Sequence, residues 1–216
     1  MKACIFDLDG VLVDTAKYHF IAWRRLANEL GVDFDEHDNE QLKGLSRDAS
    51  LDVILKKGNL SANGPQRQEW MDKKNAWYLE LVHQMREDET LPNAKELLHQ
   101  LKKAGIRIGL GSASKNAPLI LERVGIAHLF DAVIDGTRTS KSKPDPEVFL
   151  LGASELGLKP EECIVFEDAL SGIQAAKSGG FFAIGIGSPE VLKQADAVFP
   201  DLSELTVERL ISLSKR

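Results

Sequence analysis

Asp7 and Asp9 stand one residue apart in Asp7-Leu8-Asp9-Gly10-Val11, directly after the apolar residues 3–6. Along a strand two carboxylates at this spacing would alternate faces; in a turn leaving the strand both can converge on one site. The alternative is an acidic turn ahead of Gly10. Glu167-Asp168 follows another apolar run, residues 163–166. Hard oxygen ligands from two neighbouring strand ends are what Mg²⁺ requires, although Asp168 is equally suited to capping a helix through residues 172–176. The run 106–110 leads into Gly111-Ser112-Ala113-Ser114-Lys115-Asn116. Small residues with free N–H groups ahead of a helix form an anion site, and the Ser112 hydroxyl adds a donor; the same residues also make an ordinary strand-to-helix turn. Lys143 lies in Ser142-Lys143-Pro144-Asp145-Pro146, where two prolines stiffen the chain around it. A lysine presented in this way can neutralise phosphate and carboxylate charge together, or it can be a solvated surface charge.

These side chains need a scaffold that brings strand ends together. Apolar β-like runs at residues 3–6, 106–110, 132–134, 163–166, 182–186 and 197–199 are mostly separated by helical patterns at 94–104, 117–124, 146–156 and 172–178. Strands alternating with helices argue for an α/β fold, a parallel sheet covered on both faces. Ligands bind such a sheet at the carboxyl ends of its strands, the end at which the chemistry-bearing motifs fall. Residues 14–88 break the alternation. Ala16, Phe20, Trp23, Ala27 and Leu30 recur there at helical spacing, with Gly31 as a stop, and helical patterns follow at 51–55 and 66–85 across a Gly/Asn/Ser/Pro-rich turn at 58–65. The expected organisation is therefore a core domain of residues 1–13 and 89–216 with an all-helical insert at 14–88. Two linkers, near 13–15 and 86–92, would make a hinge, and a hinged lid can exclude water from a site.

Composition narrows the function classes. A net charge of -6 offers no electrostatic footprint for nucleic acid or an anionic membrane. No apolar run approaches the length of a membrane span. Residues 1–6 run straight into an acidic motif, so no signal peptide is expected. Cys4 and Cys163 both sit in apolar runs without CxxC spacing; buried free thiols and a reducing cytosol are expected.

The order of the four motifs, DxDxV, Ser, Lys and Glu-Asp, resembles the haloacid dehalogenase superfamily, and the resemblance spans the whole chain. It implies a Rossmann-like core with an inserted helical cap, and phosphoryl transfer to the first aspartate. By that resemblance Asp7 is the nucleophile and Asp9 the general acid/base. Ser112 and Lys143 would hold the phosphoryl group. Asp7, the backbone carbonyl of Asp9, Glu167 and Asp168 would supply or support a site for one Mg²⁺. The physics agrees: a carboxylate and a dianionic phosphate repel, and nearby positive charge removes that barrier.

Within the insert, Asp14-Thr15-Ala16-Lys17-Tyr18-His19-Phe20-Ile21-Ala22-Trp23, Asn39-Glu40-Gln41-Leu42-Lys43-Gly44-Leu45-Ser46-Arg47 with Ser50, and Lys73-Lys74-Asn75 look like the cap of the superfamily's hexose-phosphate mutases. Ser112-Ala113-Ser114-Lys115-Asn116 is similar to that branch too, while residues 56–66 and the final helix depart from it. The resemblance implies interconversion of β-D-glucose 1-phosphate and D-glucose 6-phosphate through a phospho-aspartate and β-glucose 1,6-bisphosphate, which would also be the activating phosphoryl donor. Two phosphate pockets are then needed. Arg47 suits the outer one, since its planar fork grips phosphate bidentately, and Ser114, Lys115 and Asn116 could reach the same group. Lys43, Gly44, Leu45, Ser46 and Ser50 would line the sugar. Trp23 is either core or close to the sugar; His19 is structural or, with Asp14 and Lys74, orients Asp9. The runner-up is a Mg²⁺-dependent sugar-phosphate phosphatase with the same aspartates. A phosphonate-cleaving relative would need a Schiff-base lysine, for which Lys43 is the nominal candidate. A non-catalytic phosphosugar-binding module is the rival from another class, and the presence of both aspartates argues against it. The expected partners are small sugar phosphates, met by a cytoplasmic monomer.

Overall fold

Short runs of β-branched and aromatic residues, apolar on both faces, pair into one parallel sheet in the computed structural model, which describes residues 1–42 and 45–214. The strands are β1 (Ala3–Phe6), β2 (Arg107–Gly111), β3 (Ala132–Ile134), β4 (Cys163–Glu167), β5 (Phe182–Ile186) and β6 (Ala197–Phe199). They lie in the order β3-β2-β1-β4-β5-β6, each neighbour parallel. The first strand in the chain is thus an inner strand, flanked by β2 and β4. In register, Phe6 faces Leu110 on one side and Phe166 on the other, so the residues that follow these strands emerge side by side.

The elements sit close to their sequence patterns, with shifts at the ends. β2 begins at Arg107 because the Ile106 N–H is spent on the Leu101 carbonyl, closing the preceding helix. β4 continues through Glu167, whose N–H and C=O region still pairs with β5 opposite Gly185. The sheet-covering helices are α5 (Ala94–Lys103), α6 (Ala117–Arg123), α7 (Glu147–Glu155), α8 (Leu170–Ser178) and, near the C-terminus, α9 (Val207–Leu213). One face of the sheet packs Ile5, Ile134, Phe149, Val165, Ile173 and Phe181 into a dry core. Cys163 belongs to that core; Cys4, one residue out of phase with Ala3 at the paired position, turns to the other face. Both thiols are free and buried.

The stretch between β1 and α5 carries α1 (Ala16–Glu29), α2 (Glu36–Glu40), α3 (Arg47–Lys57) and α4 (Gly64–Val82). Trp23, Leu26, Ala27, Phe34, Leu51 and Ile54 form its own core. Gly31 ends α1 with φ of +72°, the left-handed stop that glycine takes at least cost. Asn63 opens α4 through a reciprocal bond with Gln66, and Ser46 opens α3. By contacts the chain divides into two compact units: Met1–Asp14 with Arg86–Arg216, and Thr15–Met85. Among the described residues, no helix is long and apolar enough to cross a membrane.

Candidate active site

β1 delivers Asp7, whose N–H donates to the Phe166 carbonyl at 2.9 Å. That bond carries the β1–β4 ladder one step beyond β1 and sets Asp7 against the end of β4. Glu167 is the last residue of β4, and Asp168 follows it. Carboxylate oxygens of Asp7, Glu167 and Asp168 lie within 4.8 Å of one another. The turn after β1 must pass close by, and Gly10 allows it: its φ is +75°, and a Cβ there would fall 2.1 Å from Asp168 Oδ2. The N-cap position of α8 belongs to Ala169, so Asp168 does not take the capping role open to it on sequence grounds.

Lys143 reaches this cluster from the loop before α7. Its Nζ donates to Asp7 Oδ1 at 2.6 Å and ion-pairs with Glu167 Oε1. The ammonium, the Asp7 carboxylate and the Glu167 carboxylate are all buried. Burial works against the charged lysine, but Asp7 and Glu167 outweigh it and hold its pKa above the ordinary lysine value. For Glu167 burial dominates and raises the pKa above the usual carboxylate range; Lys143 pulls it back and Asp7 pushes it further up. The second Glu167 oxygen accepts from the Ala169 N–H at 2.9 Å, and the Phe149 ring lies 4.8 Å from the Lys143 nitrogen. The lysine therefore fixes both carboxylates in place as well as screening them.

The donor set fits a hard divalent cation. All three side chains offer carboxylate oxygens, the ligands such ions prefer. Three carboxylates against one ammonium also leave a surplus of negative charge in a site that is largely removed from water. The half-buried Asp9 stands outside this trio of side chains.

The loop after β2 supplies Ser112, which is buried. Its N–H donates to the Ile134 carbonyl at 2.9 Å, and its Oγ accepts from the Ser114 N–H at 3.1 Å. Ser114 Oγ in turn accepts from the Asn116 N–H at 3.2 Å. Ser112 keeps its own O–H for another acceptor. Ala113, Ser114 and Asn116 are half-buried, and Lys115 is exposed.

A second polar cluster belongs to the helical unit. Lys74 on α4 is buried, its Nζ 2.8 Å from His19 Nδ1 and 4.6 Å from the centres of the Trp23 and Tyr78 rings. The His19 ring stacks on Tyr78 at 4.2 Å. Burial, then the charges of Lys74 and Arg47, hold the His19 pKa well below the ordinary histidine value, so the imidazole is neutral and accepts from Lys74. Arg47 donates to Asn75 Oδ1 at 2.7 Å. Three candidates have structural employment here. Trp23 is 2% exposed and lies in the core of the helical unit. The Ser50 hydroxyl donates to the Ser46 carbonyl at 3.0 Å, one turn back in its own helix. Ser46 Oγ accepts from the Ala49 N–H at 3.3 Å as the cap of α3. Leu45 is half-buried; Lys43 and Gly44 lie outside the described residues. A surface groove along α1, lined by Phe20, Ile21, Arg24, Arg25, Asn28 and Glu29, contains none of the candidate residues. Sequence reasoning passed over Phe149, whose aromatic face only folding brings under Lys143, and Asp135, a buried carboxylate at the end of β3.

Known proteins resemble this chain in sequence and in fold. A family model described as haloacid dehalogenase-like hydrolase matches residues 1–180. The chain is 45% identical over 212 residues to a β-phosphoglucomutase of Bacillus subtilis, an alignment covering 97% of this chain and 94% of that protein. It is 32% identical over 216 residues to hexitol phosphatase B of Escherichia coli K12, covering 97% and 96%. The crystal structure of a β-phosphoglucomutase from Clostridium difficile superposes with a TM-score of 0.97 at 41% identity, covering 100% of this chain and 97% of that one.

Proposed function

The chain belongs to the haloacid dehalogenase-like hydrolase family, and from that premise we infer that it is a phosphoryl-transfer enzyme acting as a β-phosphoglucomutase. It interconverts β-D-glucose 1-phosphate and D-glucose 6-phosphate. The observation that carries the chemistry is Lys143 held 2.6 Å from Asp7 and paired with Glu167 in a buried site. The near end-to-end likeness to mutases, helical unit included, carries the choice of substrate.

In this reading the Asp7 carboxylate attacks the phosphorus of a sugar phosphate in line. The P–O bond to the sugar breaks, and Asp9 gives the departing oxygen its proton. Lys143 offsets the charge that gathers between carboxylate and phosphate, and the Ser112 hydroxyl donates to a phosphoryl oxygen. In the reverse direction Asp9 takes the proton from the sugar hydroxyl that attacks phospho-Asp7. Asp7, the Asp9 backbone carbonyl, Glu167 and Asp168 would supply or support the site of one Mg²⁺, which would lend Lewis-acid stabilisation to charge on the phosphoryl oxygens. β-Glucose 1,6-bisphosphate, formed when phospho-Asp7 donates to either monophosphate, turns end for end and returns its other phosphate to Asp7. In this reading the guanidinium of Arg47 takes the non-reacting phosphate. Two buried free thiols suit a reducing cytoplasm.

The test is a paired assay on β-D-glucose 1-phosphate with Mg²⁺ and a catalytic amount of β-glucose 1,6-bisphosphate. One arm measures glucose 6-phosphate and the other free phosphate. A mutase forms glucose 6-phosphate far faster than it releases phosphate; dominant phosphate release would make the chain a sugar-phosphate phosphatase instead.

A further inference from the structure

Edge strand β3 runs on into Asp135-Gly136-Thr137, a segment with no part in the mechanism above. Its backbone nevertheless meets the loop after β2. Gly111 pairs with Ile134 at the last rung of the β2–β3 ladder. Beyond that rung the pairing does not stop: the Ser112 N–H donates to the Ile134 carbonyl at 2.9 Å, and the Gly136 N–H donates to the Ser114 carbonyl at 3.2 Å. The two loops are laced together past the ends of their strands.

Gly136 has no positive φ, so its backbone conformation does not call for glycine. Close approach does. A Cβ on Gly136 would lie 2.2 Å from the Ala113 carbonyl oxygen and 3.2 Å from Cγ of Lys115. The first of these is backbone, which cannot swing aside as a side-chain tip can. Asp135, only 7% exposed, shapes this approach: its Oδ1 accepts from the Thr137 N–H at 2.8 Å and from the Thr137 hydroxyl at 2.5 Å. A carboxylate is costly to bury, and here it is spent on the turn that presents Gly136.

We infer that Asp135, Gly136 and Thr137 are positioning residues for phosphate recognition: a backbone brace on the edge strand that holds Ala113, Ser114 and Lys115 where they meet a phosphorylated ligand. The inference rests on the reading of the Ser112–Asn116 loop as a phosphate-binding loop. The brace touches the backbone from Ala113 onward rather than Asp7 or Lys143. Its loss therefore loosens the ligand's grip more than it slows the chemical step.

The experiment compares wild type with Gly136→Ala, Asp135→Ala, Asp135→Asn and Thr137→Val. Each is assayed for kcat and KM with β-D-glucose 1-phosphate, for binding of glucose 6-phosphate by calorimetry, and for thermal unfolding. Gly136→Ala should raise KM and the calorimetric dissociation constant by about tenfold or more, with a smaller change in kcat, since displacements near 1 Å at a positioned group cost on this order. Asp135→Ala and Thr137→Val should shift the same two constants in the same direction by a few-fold. Asp135→Asn keeps an acceptor at Oδ1 and should restore most of the binding lost in Asp135→Ala. If Gly136→Ala does not fold, the two milder variants and the asparagine rescue carry the test. Folded variants with KM and affinity within about twofold of an active wild type overturn the brace, as does a fall in kcat alone. An inactive wild type would instead overturn the functional reading on which the brace rests.

Discussion

Lys143 is the residue on which the site's charge balance turns. It is paired with two buried carboxylates, so its removal leaves both Asp7 and Glu167 without their cation. Breaking a buried pair from one side costs about 3–5 kcal/mol, because the remaining charge has neither water nor partner. Lys143→Ala should lower stability by that order in chemical denaturation without metal, and should abolish phosphoryl transfer. Lys143→Ala with Glu167→Gln should recover part of the stability and none of the activity. His19 makes a prediction with the opposite dependence on charge. Its folded-state pKa lies below the unfolded value of about 6.5, through burial and the neighbouring Lys74 and Arg47. Below that pH the unfolded chain takes up a proton that the folded chain refuses, so stability falls as pH drops from about 6.5 toward the folded-state pKa. Between about pH 7.5 and 5.5 wild type should lose on the order of 1 kcal/mol more than His19→Gln. Equal losses in thermal melts of the two proteins would show that the ring is free to protonate.

At the scale of elements, the site depends on two turns that leave adjacent strands and nearly touch. Gly10 is the point of contact, with φ of +75° and its missing Cβ directed at Asp168 Oδ2. Gly10→Ala asks for a conformation that L-residues adopt reluctantly and forces Asp168 away from Asp7. We expect kcat/KM to drop by roughly 100-fold, while the distant core of the sheet keeps the fold. Titrating Mg²⁺ in the variant should reveal a higher requirement for the ion. Activity and metal requirement equal to wild type would mean that the turn can relax without moving Asp168.

At the scale of the whole molecule, phosphoryl transfer to either end of a sugar needs a grip on the phosphate that is not reacting. In the proposed reading Arg47 of the helical unit provides it. Its guanidinium is already oriented by the 2.7 Å bond to Asn75 and is partly removed from water. A charge-assisted bidentate contact of this kind is worth roughly 2–4 kcal/mol when desolvated, or about 30- to 1000-fold in kcat/KM. Arg47→Ala should show a loss in that range. It should also raise the ratio of phosphate released to glucose 6-phosphate formed, because a poorly held ligand leaves phospho-Asp7 open to water. If neither rate changes, the second phosphate is held elsewhere, and Lys115 is the next residue to test.

The amino-acid sequence by itself determined the elements whose pattern is local. Apolar runs bounded by turn residues marked every strand of the sheet to within a residue, because a strand buried on both faces must be apolar at successive positions. The 3.6-residue stripe of Ala16, Phe20, Trp23 and Ala27 marked α1, and the candidate motifs at Asp7, Ser112 and Glu167-Asp168 were readable because each lies at the end of an apolar run. The five-residue α2 was not readable: Glu36-His37-Asp38-Asn39-Glu40 has no apolar stripe, and the helix stands on its Asp35–Asp38 capping box and on the pairing of Asp38 with Lys57. Folding alone decided which neighbours the motifs acquire. Lys143 and Asp7 are 136 positions apart, and the packing of α7 against β1, β2 and β3 carries the loop before α7 to the end of β1 and brings them within 2.6 Å. Folding likewise placed Trp23 in the core of the helical unit, gave the cap of α8 to Ala169 rather than Asp168, and laced Gly136 to the loop after β2. Local periodicity records which residues avoid water, whereas strand order and register depend on pairings between distant segments, which no short window of sequence contains.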